Sequence, residues 1–116
     1  MKFLMIAVIF ILATQIFKPV PIVTESECLI QSGIVTAIDE GGTNDVVIRL
    51  KDNDEMFYIN RGLEQGLDLG ILKSTLIGNE VILKYPKHWT PLDPYNKTHH
   101  VSKVEHGEHV IFDELK

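Results

Sequence analysis

EMFYINRGLEQGLDLGILKSTLIG, residues Glu55 to Gly78, is the stretch whose reading decides the fold. Glu55–Asn60 reads as a half-buried strand, with Phe57 and Ile59 facing one way and Met56, Tyr58 and Asn60 the other. Arg61-Gly62 ends that strand and Gly66 ends the connection that follows. Asp68 then caps a short amphipathic helix expected over 67–77, whose buried stripe is Leu69, Leu72 and Leu76. Gly78 stands where a left-handed residue would stop it.

Strand patterns flank this unit on both sides. Before it, Cys28–Asp39 is a long strand rich in β-branched residues, with Gly33 inside it as the mark of a bulge or bend. Glu40-Gly41-Gly42-Thr43-Asn44 is a turn by composition. Asp45–Lys51 alternates, with Val46, Ile48 and Leu50 on one face. A tight turn at Asp52-Asn53-Asp54 joins it to Glu55–Asn60, making a three-stranded meander. After the helix, Asn79–Tyr85 is a fourth strand with Val81, Leu83 and Tyr85 inward. Pro86–Lys97 is a long loop holding three prolines. Thr98–Glu105 and Glu108–Asp113 form the last strand and a return hairpin around His106-Gly107.

This pattern defines an all-β chain, a small β-barrel with one short helix. Strands with a single helix between the third and fourth, and a long first strand bent by glycine, resemble the OB fold, a Greek-key barrel of five or six strands here. The likeness covers about Cys28–Asp113 of a domain expected over 28–116, and it implies a binding surface on the second and third strands and their flanking loops. Tyr58-Ile59-Asn60-Arg61-Gly62-Leu63 and Tyr85-Pro86-Lys87-His88-Trp89-Thr90-Pro91-Leu92 are similar to phrases in small exported bacterial proteins of unassigned function. No catalytic residue comes with that likeness.

Residues Phe3–Phe17 carry no charge and sit between Lys2 and Lys18. Fifteen helical residues would reach only about 22 Å, short of the ~30 Å hydrocarbon core, a length that suits the apolar region of a secretory signal. Ala13-Thr14-Gln15 makes a poor cleavage site, so residues 1–18 are expected to be a signal peptide or an uncleaved N-terminal membrane anchor. Either way the domain is expected to be exported, periplasmic or extracytoplasmic, or anchored with its C-terminal part outside. Residues 19–27, opening on Pro19 and Pro21, read as an extended spacer. Without residues 1–18, nine Lys and Arg face sixteen Asp and Glu, a net charge of −7. That charge repels polyphosphate and makes nucleic acid an improbable partner. Asp39, Glu40 and Asp45 at the first turn add to the repulsion. Cys28 is the only cysteine, so no internal disulfide forms; a small apolar residue entering the first strand is the simpler reading beside lipidation or a reactive thiol.

Two surfaces compete for function. The long loop offers Lys87, His88, Trp89, Tyr95 and Lys97, aromatics and cations that suit stacking on sugars or bases. Alternation leaves Tyr58 outside the core, and Arg61 at the strand's end can clamp an anion or pair with a nearby acid. Tyr58, Arg61, His88, Trp89 and Tyr95 are therefore the candidate ligand-binding residues, for a small polar, saccharide or protein ligand. Trp89 has a second reading, folded back to cap the barrel with its indole N–H on a loop carbonyl. The histidines are the other surface. His99 and His100 point to opposite strand faces, so at most one could join His106 or His109 around a metal. No metal-binding motif, phosphate-cradling loop or nucleophile elbow is present; solvated edge or hairpin histidines are expected, with no cofactor and no catalytic set. Asn96-Lys97-Thr98 matches a glycosylation acceptor by only three residues. A non-catalytic binding module leads, with a small metal-dependent or hydrolytic enzyme on the C-terminal histidines, and nucleic-acid binding by fold likeness, as alternatives.

Overall fold

The computed structural model describes residues 23–115. The apolar leader and the first part of the spacer lie outside those residues. Seven strands form one sheet: β1 (Cys28–Gly41), β2 (Asp45–Leu50), β3 (Met56–Ile59), β4 (Glu80–Pro86), β5 (Thr98–His100), β6 (Lys103–His106) and β7 (His109–Asp113). The helix α1 (Leu69–Leu76) falls between β3 and β4, and the order across the sheet is β5-β3-β2-β1-β4-β6-β7. The expected small all-β, barrel-like fold with one helix is the fold observed, although the ladder does not close into a ring.

β1 is long because it serves two sheet halves. Cys28–Ile34 pairs antiparallel with β4, and Val35–Gly41 pairs antiparallel with β2, with a register shift between Val35 and Ala37. The changeover is tight at Gly33: a Cβ there would sit 3.2 Å from Leu50 Cδ1, so the leucine would have to give by a few tenths of an ångström. The irregularity itself falls just after the glycine, which provides the close approach of the two halves. Inward positions of β1 to β4, β6 and β7, with Val101 from the break between β5 and β6, converge on one core that includes Val35, Ile38, Val46, Ile48, Phe57, Ile59, Val81, Leu83, Val101, Val104 and Phe112.

α1 closes this core from one side with Leu72 and Leu76 buried and Leu69 packed partly against it. Its start is set by Asp68, whose carboxylate accepts the Ile71 amide at 2.9 Å. Its stop is Gly78, at φ +85°, whose amide then donates to the Val35 carbonyl at 2.8 Å. Helix and β1 are thus stitched together at the residue that ends the helix.

The last strand expected at Thr98–Glu105 is broken in two. β5 runs parallel to β3, through Met56↔Thr98, Phe57↔His99 and Tyr58↔His100, whereas β6 runs antiparallel to β4. Between them the Val101 amide donates to the Tyr58 carbonyl and the Ser102 amide to the Lys84 carbonyl, each at 2.8 Å. Successive amides therefore change partner strand, and that change draws β3 and β4 toward each other across β2 and β1.

Within the described part of the spacer expected to be extended at 19–27, Glu25–Glu27 is a 3-10 turn. Thr24 and Glu27 cap the turn reciprocally, and the Glu25 carboxylate docks it by taking hydrogen bonds from Lys84 Nζ and Lys103 Nζ, both at 2.7 Å, on the outer face of β4 and β6. Lys103 and Lys84 hold the Glu25 carboxyl well below its usual range, down to about 2. A depressed carboxyl contributes stability above its unfolded value and loses it as pH falls toward the folded one. Glu25→Gln should therefore remove a component of acid sensitivity between pH 4.5 and about 2. Salt should weaken the wild-type effect, since these groups are open to solvent. Thermal melts of both proteins across that range, at low and high salt, check it.

Core closure by α1 gives a second expectation. Leu76→Ala should cost about 2–5 kcal/mol by urea denaturation. Ile71→Ala, at a site 65 % exposed, should stay within about 0.5 kcal/mol.

Candidate functional site

On the outer face of β2 and β3 lies an open groove of about 540 Å³. Val47, Met56 and Tyr58 form its floor, because the alternation that buries Val46, Ile48, Phe57 and Ile59 turns these three outward. Asp45, Asn60 and Thr98 supply a polar rim, and the Gly41-Gly42 turn closes one end.

Tyr58 is braced from below. Its ring meets the edge of His100 at 5.4 Å between centroids, and His100 Nε2 donates to the Glu114 carboxylate at 2.5 Å. Half-burial raises the Tyr58 hydroxyl above its ordinary range, with the Asp45 and Glu114 charges adding to the effect. The phenol therefore stays neutral, able both to donate and to accept. At the far end Asp45 is fixed as well: its Oδ1 accepts the Arg61 amide at 2.7 Å, while Arg61 itself sits in the left-handed region at φ +50°. The groove thus combines an aromatic and aliphatic floor with hydroxyl, amide and carboxylate groups, of which the Asp45 carboxylate is held by the Arg61 amide and the Tyr58 ring by His100.

The five sequence candidates fall in two places. Tyr58 lies in the groove and Arg61 is bonded to its rim through its amide. The Arg61 side chain is exposed and reaches Glu64 only at 3.8 Å, a weak surface pair. His88, Trp89 and Tyr95 are not among the groove's lining residues. Their loop runs from the end of β4 to the start of β5 and is tied there by Lys97, whose carbonyl accepts the Met56 amide and whose Nζ pairs with Asp54 at 2.9 Å. Arg61 follows the opposite end of β3. The loop's own fold is built by Asp93, whose two carboxylate oxygens accept the Lys97 and Thr98 amides at 2.9 and 2.7 Å.

The folded-back reading of Trp89 holds in its hydrogen bond and fails in its burial. Its indole N–H does donate to a loop carbonyl, Pro94 O, at 3.2 Å, but the side chain is 57 % exposed and belongs to no core.

The histidines correct an expectation. His99 is not a solvated edge residue: it is 6 % exposed, stacked 4.4 Å from Tyr85 and 5.2 Å from Phe57, and its Nε2 donates to Glu55 at 3.1 Å. The parallel pairing of β5 with β3 puts it over Phe57, a contact between distant segments that alternation along the chain does not reveal. His100 points out, His106 Nδ1 donates to the Glu80 carbonyl, and His109 is exposed. Among the described residues no three His, Cys, Asp or Glu side chains gather into a metal site. Cys28 is half-buried, and that burial raises its thiol above the ordinary range, away from reactive thiolate.

Sequence reasoning reached Tyr58 but missed Asp45, Val47 and Thr98 as its neighbours, and His100 and Glu114 as its support. Val47 and Asp45 could have been found by carrying the outward face of β3 across to β2. Thr98 and His100 depend on the parallel pair with β5, which has no local signature. No family model, curated protein or solved structure matches the chain.

His99→Ala should therefore cost about 2–4 kcal/mol, from the lost packing and an unpartnered Glu55. Trp89→Ala should cost no more than about 1 kcal/mol, the worth of one exposed hydrogen bond. Urea denaturation of the two variants side by side checks the contrast.

Proposed function

We propose that this chain is an exported, non-catalytic binding module whose ligand seats in the outer groove of β2 and β3. The observation that carries the reading is Tyr58, an outward aromatic held in place by His100 and flanked by Met56, Val47, Asp45 and Asn60. An aromatic face beside carboxylate, amide and hydroxyl groups suits a polar ligand rich in hydroxyls, such as a saccharide, which stacks on the ring and donates to Asp45. The strand order, with a helix between β3 and β4, supports the OB-like reading, in which this face would carry the ligand. The charge-free run Phe3–Phe17 supports export, as a signal or an anchor. Among the described residues no helix is long and apolar enough to cross a membrane. The histidine-based enzyme has less support, since His99 and His106 are each engaged by another group. Nucleic-acid binding has only the fold likeness in its favour, against an acidic domain with Asp45 on the groove's rim.

Titration of isotope-labelled protein with a panel of neutral oligosaccharides tests the reading. Amide shifts should concentrate on Val47, Met56, Tyr58, Asn60 and Thr98. Tyr58→Ala should weaken binding at least tenfold, or about 1.4 kcal/mol, with the fold retained. Shifts confined to Trp89 and Tyr95, or none with any saccharide, would overturn it.

A further inference from the structure

The loop between β4 and β5 exposes more apolar surface than its polar neighbourhood explains. Trp89 is 57 %, Leu92 71 % and Tyr95 83 % exposed, all within seven residues. The loop is not loose: a Thr90↔Asp93 bridge, the Asp93 carboxylate and the Trp89–Pro94 hydrogen bond give it a built shape. Large apolar side chains held outward by a fixed backbone mark a contact surface.

Its position says what the contact is. Cys28 pairs with Pro86 and Leu29 with Tyr85, so the loop leaves the sheet beside the point where the chain enters it. Leu29 and Ile30 are exposed at the same end. Glu25 is pinned to Lys84 and Lys103, so the chain between the apolar run ending at Phe17 and the folded domain is only Lys18–Thr24. Seven residues span at most about 25 Å even when fully extended. If Phe3–Phe17 stays in a bilayer, this end of the domain is held against the surface at high effective concentration. Trp and Tyr side chains with leucine between them, and Lys87 exposed beside them, match the chemistry of the headgroup boundary.

We propose that the Trp89–Tyr95 loop is a bilayer-contact face, seating its aromatics in the headgroup region next to the anchor. It rests on the anchored form of the export reading and is independent of the groove.

The chain carries its own probe, because Trp89 is its only tryptophan. The full chain, reconstituted in vesicles of phosphatidylcholine and phosphatidylglycerol, should float with the lipid. Its emission should shift to the blue, and brominated acyl chains should quench it by at least half. Leu92→Asp combined with Tyr95→Ser should abolish most of that quenching while the protein still floats. A floating chain with water-like, unquenched Trp89 emission would overturn the loop proposal and leave the anchor reading standing. A chain with intact Met1 that fails to float would overturn both.

Discussion

Two successive amides, those of Val101 and Ser102, hold this fold in its curved form. One donates to β3 and the next to β4, so two strands separated in the sheet order by β2 and β1 share a single passage of chain. Because β-strand neighbours lie about 4.8 Å apart, a chain that bonds to β3 and then β4 forces those strands to approach each other. The sheet between them, β2 and β1, must then wrap. Val101 and Ser102 are both buried at this seam, with Val104 and Leu83 beyond it in the same core. Gly33 is the matching feature on β1, letting Leu50 lie against the backbone where that strand passes from one half to the other. Curvature at β1 and the partner change at the seam answer the same geometric demand from two sides.

What the sequence made readable follows from which contacts are local. The meander, the helix, its Asp68 cap and its Gly78 stop depend on residues a few positions apart, and periodicity reports them faithfully. Helix ends shifted by no more than two residues, from 67–77 to 69–76. The break at Val101-Ser102 was invisible because the run from Thr98 to Glu105 keeps strand character on both sides. Only the identity of the partner changes, and partner identity is non-local. His99 shows the same thing at one residue. Alternation correctly sent His99 and His100 to opposite faces, but which face was the interior depended on β3 lying alongside. Glu25 adds an electrostatic case: two lysines from β4 and β6 draw in a residue that composition alone assigns to a spacer. For the candidate site, strand alternation found Tyr58, and the long-range pairing that supplies Thr98 and His100 lay beyond it.

Polar groups are admitted to the interior only in company. His99 is buried between two aromatic rings, yet its Nε2 meets the Glu55 carboxylate, itself partly in water. Burying a lone imidazole there would cost more than its packing returns. The arrangement puts one charged partner at the mouth of the core and keeps the ring inside. Its neighbour His100 does the equivalent work outside, sharing Glu114 while backing Tyr58. A three-residue strand thus supports the core with one side chain and the groove with the next, which ties the groove's shape to the seam's integrity.

The two exposed aromatic regions differ in a way that separates their roles. Tyr58 lies in a concavity with hydrogen-bonding groups around it, the setting in which a ring selects a ligand by shape and donors. Trp89, Leu92 and Tyr95 stand exposed on a loop several of whose polar atoms are already engaged: the indole on Pro94, the Asp93 carboxylate on two amides, Lys97 on Asp54. Such a surface offers apolar area and few unpaired donors, so it discriminates poorly among polar solutes and gains most from a medium that asks for no specific partner. A headgroup boundary is such a medium. Met56 and Thr98 line the groove and are also where the loop is tied, through the Lys97 carbonyl and the Asp93 carboxylate, so the two surfaces meet at one end of β3 while Asn60 and Asp45 close the groove at the other.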